Sequence, residues 1–429
     1  MSDNFGGAFA AAYKRIYNPR KVQQLAYHKR PFLKELAKKD DFEGGVYVHA
    51  MFYEDPQGGS DDFSTAIAQK AQSSVGARMY INRGRSYYAI SMSNEEIAAA
   101  RSDMGSLLRK KQTETNNILE QMATRIDMAL HGAGTGVLAS FTTGASVATN
   151  VITLDIPQLH VRFGQRMTLQ LATSNPTNGV LPANFLLNSG ASVVVTGISR
   201  GGVASPTTIT LDQNLNVAFP GIAAATQYFL LRKGDALGFG AGQDGSGVSG
   251  LKSWLPLVAP VAGDSFWGLD RSVDAQRLAG LRYIATNGEK YEATFQNASA
   301  DLSLTTGTPS VILVHPNDFN KYSQELGNKV RFTNPGDKGT VGMTEMLVHG
   351  QSGDMRLLAD PQVDPGLFYM LDMSTWYLKH LNGVPHLDDS DGRSAAREST
   401  TDAIEMRWRS WHQLICDAPG KNLVGTFSP

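Results

Sequence analysis

Between Ser93 and Leu130 the chain runs for roughly forty residues without a proline, and Gly132 and Gly134 follow at once. Ser93 stands three residues before Glu96, the spacing of a capping box that opens a helix. Apolar residues then fall at Ile97, Met104, Leu107, Leu108, Ile118, Leu119, Met122, Ile126 and Leu130. These are mostly three, four or seven apart, which is one face of a helix. The spacing predicts a single rod of roughly 55 Å. Its middle, RKKQTETNN, is polar on nearly every face, so the rod is expected to cross a surface rather than lie buried throughout.

Ahead of the helix, GGVYVHAMFYE and ARMYINRGRSYYAISM flank a polar stretch rich in Gly, Ser, Asp, Gln and Ala. Alternation such as Val46 and Val48, then Met79 and Ile81, is the period-two signature of strands. Residues 44–92 are therefore expected to form one long two-stranded ribbon. A ribbon of that length has too little core of its own and needs a partner surface. Further upstream, residues 13–39 carry nine Lys or Arg against Glu35 alone, with interspersed aromatics and two prolines. This reads as a basic arm able to lie on a neighbour or on phosphate, or as a solvated helical face.

Downstream of the helix the composition changes. Residues 132–231 hold only five charged side chains: Asp155, Arg162, Arg166, Arg200 and Asp212. The runs VITLD, MTLQL, ASVVVTGI, TITLD and YFLLR, separated by turn residues, predict a small β-barrel or sandwich inserted into the chain. Past it, helical patterns fall near 272–285 and 288–303. The strand VILVHP then runs into a helix for which Asn317 is a candidate cap and Gly327 a stop. MRLLAD, FYMLDM, WYLKHL and AIEMRWRSWHQLIC follow as strands, and the whole layout is α+β.

A chain of 429 residues exceeds one growing core, so several substructures are expected. Lys plus Arg (39) nearly cancels Asp plus Glu (40), which argues against a surface wholly devoted to nucleic acid or acidic lipid. A net charge of -1 lowers the electrostatic barrier to self-association. Cys416 is the only cysteine, which excludes an intrachain disulfide and any Cys-based zinc site. No signal-peptide pattern and no apolar membrane span is legible, so synthesis in a reducing cytoplasm is the expectation.

Chemistry is sparse. No HExxH, CxxC, GxSxG or P-loop spacing occurs. The one GxGxxG, at Gly240, Gly242 and Gly245, is followed by GSGVSG, a poor helix start, and reads as a hinge returning from the insert. The acidic run 387–398 places Asp389, Asp391, Gly392 and Glu398 as a calcium loop would, but its first position is Leu387, which offers no oxygen. His380 and His386 read as structural. Trp408 and Trp411 read as strand packing, with Arg407 and Arg409 facing the other way. No catalytic, metal or cofactor residues are assigned.

The order of parts, together with FWGLDRSVDAQRLAGLRY, SVILVHPNDFNKYSQELG and AIEMRWRSWHQLICDAPGKNLVGTF, resembles the major capsid proteins of tailed bacteriophages with the HK97-like fold. The resemblance implies an N-terminal arm (1–43), an E-loop β-hairpin (44–92) and a P-domain spine helix (93–134). It further implies an inserted β-rich domain (135–235), a P-domain return (236–285), an A-domain (286–400) and closing strands (401–429). It implies a non-enzymatic, self-assembling icosahedral shell of hexamers and pentamers around double-stranded DNA, with no cofactor and no membrane. Scaffolding, portal and decoration proteins are the implied partners, and the virion is the implied location. Some members of this lineage crosslink an E-loop lysine; Lys70 is the only lysine in the ribbon, and no partner asparagine is matched to it.

On this reading Tyr80, Tyr87 and Tyr88 pack against an adjacent subunit, and Arg83 and Arg85 pair with its acids. Lys14, Arg15, Arg20 and Lys21 of the arm face genome or neighbour. Two rival readings are an encapsulin-like compartment shell of the same fold and a cytoplasmic α+β enzyme.

Overall fold

The structure is a computed structural model that describes residues 30–42, 44–56, 59–69, 74–93, 104–188, 191–200, 206–236, 238–239, 247–326, 345–351, 353–388, 396–397 and 402–428. The arm residues Lys14, Arg15, Arg20 and Lys21, the Ser93–Glu96 box beyond Ser93, Lys70, the Gly240–Gly245 motif, Gly327 and the acidic residues Asp389, Asp391, Gly392 and Glu398 lie outside them.

A short helix, α1 (Pro31–Glu35), leads into β1 (Ala37–Lys39). β2 (Val46–Glu54) then pairs antiparallel with β3 (Val75–Asn82), and α2 (Phe63–Gln69) lies in the connection between them. Here the expectation of one ribbon over 44–92 needs correction. After Arg83 the chain leaves the ribbon, and β4 (Gly84–Ser93) adds to a different sheet. Alternation reports which face a side chain takes but not which strand edge the backbone will meet. Gly84 permits the crossing: a Cβ there would stand 2.4 Å from the Val248 side chain and 2.9 Å from the His412 carbonyl oxygen.

The long helix, α3, is described over Met104–His131. Leu119, Met122, Ile126 and Leu130 form its buried face. Each such side chain contributes about 1.5–3 kcal/mol when fully removed from water. They join Met51, Met79 and Ile81 of the ribbon, and Trp254, Trp376 and Trp408, in the largest core.

Residues 137–232 form a six-stranded sheet in which every pairing is antiparallel. Its strands are β5 (Val137–Thr142), β6 (Val151–Thr153), β7 (Thr168–Ala172), β8 (Val193–Ser199), β9 (Thr208–Leu211) and β10 (Gln227–Arg232), in the order β5-β10-β7-β8-β9-β6. It owns a separate core that includes Phe141, Leu169, Leu171, Ile209 and Phe219.

The chain returns through α4 (Leu251–Trp254), the small hairpin β11 (Ser265–Phe266) and β12 (Leu269–Asp270), and α5 (Ala275–Ala279). The helical pattern near 272–285 is thus only partly helix. Gly280, at φ 75°, ends α5 where a Cβ would stand 2.3 Å from Leu255, and β13 (Leu281–Ile284) follows.

The last part contains α6 (Tyr291–Leu304), β14 (Val311–Val314), α7 (Pro316–Leu326), β15 (Glu345–Gly350), β16 (Gly353–Ala359) and β17 (Leu367–Leu371). β18 (Trp376–Leu387), β19 (Ala396–Arg397), β20 (Ala403–Cys416) and β21 (Leu423–Thr426) complete the strands. A mixed sheet runs β13-β21-β17-β14-β16-β15, with α6 and α7 packed on its core through Phe295, Leu302, Phe319 and Tyr322. The α7 helix starts two residues earlier than a cap at Asn317 implied. His315 caps it, its Nδ1 accepting from the Asn317 N–H at 3.2 Å.

The remaining sheet runs β1-β18-β20-β19, with β4 also on β20. Along β20 the two tryptophans part company. Trp408 is in the core, whereas Trp411, an odd number of residues on, shares the outer face with Arg409, whose guanidinium lies 4.6 Å from its ring. Among the described residues no helix is long and apolar enough to cross a membrane.

Candidate assembly surface and buried ionic junction

The ribbon has two unlike faces. Its inner face sets Met51, Met79 and Ile81 into the main core. Its outer face pairs Val48 across from Tyr80 and Phe52 across from Gly76, with Val46 and Val48 half exposed, Tyr80 57 % exposed and Phe52 68 % exposed. Phe63 and Ile67 of α2 add exposed apolar surface at the tip. Monomeric soluble proteins seldom leave a run of large apolar side chains bare in this way.

The ribbon is tied down at both ends. The Tyr80 N–H donates to the Trp267 carbonyl at 3.4 Å, and Arg277 reaches the Tyr53 carbonyl (3.2 Å) and the Asp55 carboxylate (2.6 Å). The outer stripe therefore stands on a fixed support.

The five residues expected from sequence to meet a neighbour do not share one element. Tyr80 is on β3 and faces outward. Arg83 lies at the crossing, its guanidinium 5.6 Å from the Phe42 ring. Arg85, Tyr87 and Tyr88 sit on β4 in the other sheet. Tyr87 is 56 % exposed, and its hydroxyl accepts from Trp411 Nε1 at 3.1 Å. Tyr88 is half buried, and its hydroxyl accepts from Arg232 at 3.0 Å. Alternation within ARMYINRGRSYYAISM could not show these cross-sheet partners.

A second cluster went unnoticed in the sequence. Asp127 and His131, four residues apart on the last turns of α3, meet Asp360 just beyond β16. All three side chains are buried, to 4 %, 2 % and 0 % exposure. His131 Nε2 stands 3.4 Å from Asp360 Oδ2, and Nδ1 donates to the Asp127 carbonyl at 2.9 Å. Burial works against the imidazolium, but the two carboxylates outweigh it and push the His131 pKa up to about 9. The site attracts a cation. A D-x-x-x-H spacing inside a predicted helix is its only sequence signal, and Asp360 lies far from it in the chain.

Beside it, Arg162 reaches across from the end of a 3-10 helix (Pro157–Arg162) between β6 and β7. It donates to the carbonyls of Leu138 (2.7 Å) and Gln362 (2.6 Å) and to Asp364 Oδ1 (2.8 Å). Lys252 pairs with the other Asp364 oxygen. Burial tends to raise the Asp364 pKa, yet Lys252 and Arg162 bring it down to about 2. A cavity of about 170 Å³ adjoins this junction, between α3, β4 and the antiparallel sheet.

No family model matches the chain, and no curated protein does. Solved structures do. The chain is similar to a subunit of the cyanophage A-1(L) capsid at 10 % identity, covering 93 % of this chain and 92 % of that one, with a TM-score of 0.49. It is also similar to the capsid of an empty GTA particle, at 8 % identity over 94 % and 97 % of the two chains, TM-score 0.44. A third similar structure is the SrpI encapsulin complex of Synechococcus elongatus PCC 7942, at 9 % identity over 97 % and 94 %, TM-score 0.40.

Proposed function

We propose that this chain is a phage major capsid protein of the HK97-like class, a structural subunit that assembles with copies of itself into a closed shell around double-stranded DNA. The observation that carries this is the ribbon: one face is spent on the subunit's own core, and the other presents Val46, Val48, Phe52 and Tyr80 to solvent. A neighbouring copy is the partner that buries such a face at every site of a symmetric lattice. Many modest contacts made together then give a stable particle.

In this reading the ribbon of residues 46–82 serves as the E-loop, α3 as the spine helix, the sheet around β14 as the A-domain core, and the antiparallel sheet of 137–232 as an inserted domain. Tyr80, Arg83, Arg85 and Tyr87 are offered to neighbours. The basic arm, through Lys14, Arg15, Arg20 and Lys21, faces the genome or an adjacent subunit. Scaffolding, portal and decoration proteins complete the virion.

Negative-stain electron microscopy of the purified protein tests the proposal. Closed particles are expected, and a monomer that persists even with its scaffolding protein overturns it. Reversing the four arm charges separates their two roles: shells that form but package no DNA place the arm on the genome, whereas failure to assemble places it on a neighbour.

A further inference from the structure

We infer that Asp127, His131 and Asp360 form a structural site for one divalent transition-metal ion of the zinc class, clamping the C-terminal end of the long helix to the sheet that carries β16. Three donor groups converge there, the imidazole and one oxygen from each carboxylate, with ligand atoms within 4.8 Å of one another; Nε2 is 3.4 Å from Asp360 Oδ2 and Nδ1 is 3.8 Å from Asp127 Oδ1.

His131 Nε2, Asp127 Oδ1 and Asp360 Oδ2 are all buried without a well-formed hydrogen bond, Nε2 and Oδ2 facing each other at 3.4 Å. His131 Nδ1 gives its proton to the Asp127 carbonyl, which turns the Nε2 lone pair into the cluster. That backbone tether is what orients metal-bound histidines. Asp360 Oδ1 accepts from the Gln362 N–H at 2.9 Å, which leaves Oδ2 for the cluster. Phe32 of α1 closes the site, its ring centroid 5.3 Å from that of His131.

An imidazolium is the competing cation, favoured by the same two carboxylates, and an ion must displace its proton to bind. A charge-assisted N–H···O bond closes to about 2.7–2.9 Å, whereas Nε2 and Asp360 Oδ2 stand 3.4 Å apart. Two donors, each about 2.0–2.2 Å from one tetrahedral ion, stand about 3.4 Å apart. One proton on Nε2 also leaves Asp127 Oδ1 without a donor, while one ion satisfies all three atoms. Two further cations, Arg30 and Arg162, stand near the cluster and share its charge. Arg30 donates to the Glu120 carbonyl and the Thr124 hydroxyl, and Arg162 to Leu138, Gln362 and Asp364. The donor set of one nitrogen and two carboxylate oxygens suits zinc, cobalt(II), manganese(II) or iron(II).

Because the site is sealed, the ion enters as the chain folds. The test is therefore made on full-length protein refolded with zinc, with cobalt(II), or with chelator alone. Expected are about one metal per subunit by elemental analysis, visible ligand-field bands with cobalt(II), and a melting temperature several degrees above that of the chelated sample. His131→Gln and Asp360→Asn should abolish the cobalt bands. Wild-type protein that binds no stoichiometric metal and melts identically in zinc and chelator overturns the inference, and that outcome requires no variant. So do cobalt bands that persist in His131→Gln. Shell assembly does not enter the measurement, so its outcome is independent of the capsid reading.

Discussion

Met51 and Phe52 are consecutive on β2 and face opposite ways: Met51 is 3 % exposed in the main core, and Phe52 is 68 % exposed on the outer stripe. The period-two pleat assigns one residue to the subunit's own fold and leaves the next for a partner.

These neighbours should therefore fail differently. Met51→Ala removes buried thioether packing and should cost about 2–5 kcal/mol of subunit stability, read by denaturant unfolding. Phe52→Ser with Val48→Ser should leave stability within about 0.5 kcal/mol. In that variant particles should be lost from sedimentation profiles and micrographs.

Tyr88 illustrates a residue held inside its own chain. Tyr88→Phe deletes the acceptor of the 3.0 Å bond from Arg232 and should destabilise the subunit by about 1 kcal/mol. Its shells, formed at a temperature where the subunit is folded, should look normal. Particles of altered diameter or shape would instead make Tyr88 an assembly contact.

Acid should loosen the junction between the antiparallel sheet and the rest. Asp364 has a folded pKa of about 2 against an ordinary 3.8, so the unfolded chain takes up its proton first. Its contribution is present above about pH 4 and is lost as pH falls through about 2, at most about 2 kcal/mol. Burial lowers the Lys252 pKa despite its pairing with Asp364, so the pair as a whole is worth less than that. Asp364→Asn should flatten the stability profile between pH 4 and 2. An unchanged acid limb would show that Asp364 does not set it.

Gly250 lies where the return chain crosses the end of α3. A Cβ there would stand 2.4–2.6 Å from the carbonyl oxygens of Ala129, Gly132 and Leu130. Backbone cannot yield as a flexible side chain can. Gly250→Ala should cost about 3 kcal/mol or more, seen as a lower melting temperature and reduced soluble yield.

Much of this molecule is written locally. The 3.6-residue spacing of Leu119, Met122, Ile126 and Leu130 selects a helix and the face it buries. The period-two runs VITLD, MTLQL and TITLD lie within or across strands β6, β7 and β9. Alternation at Val48 and Phe52 already marks a face, because side-chain direction is a property of a residue and its immediate neighbours.

What the sequence could not decide was which edges and which distant atoms would meet. β4 pairs with β20, more than three hundred residues away, and not with the ribbon it follows. Asp360, at a turn, closes on a helix through Asp127 and His131. Backbone hydrogen bonding is indifferent to side-chain identity, and a buried charge finds its partner only when the chain folds back on itself. The amino-acid order therefore determined elements and faces, and the tertiary structure alone decided pairings and the buried cluster.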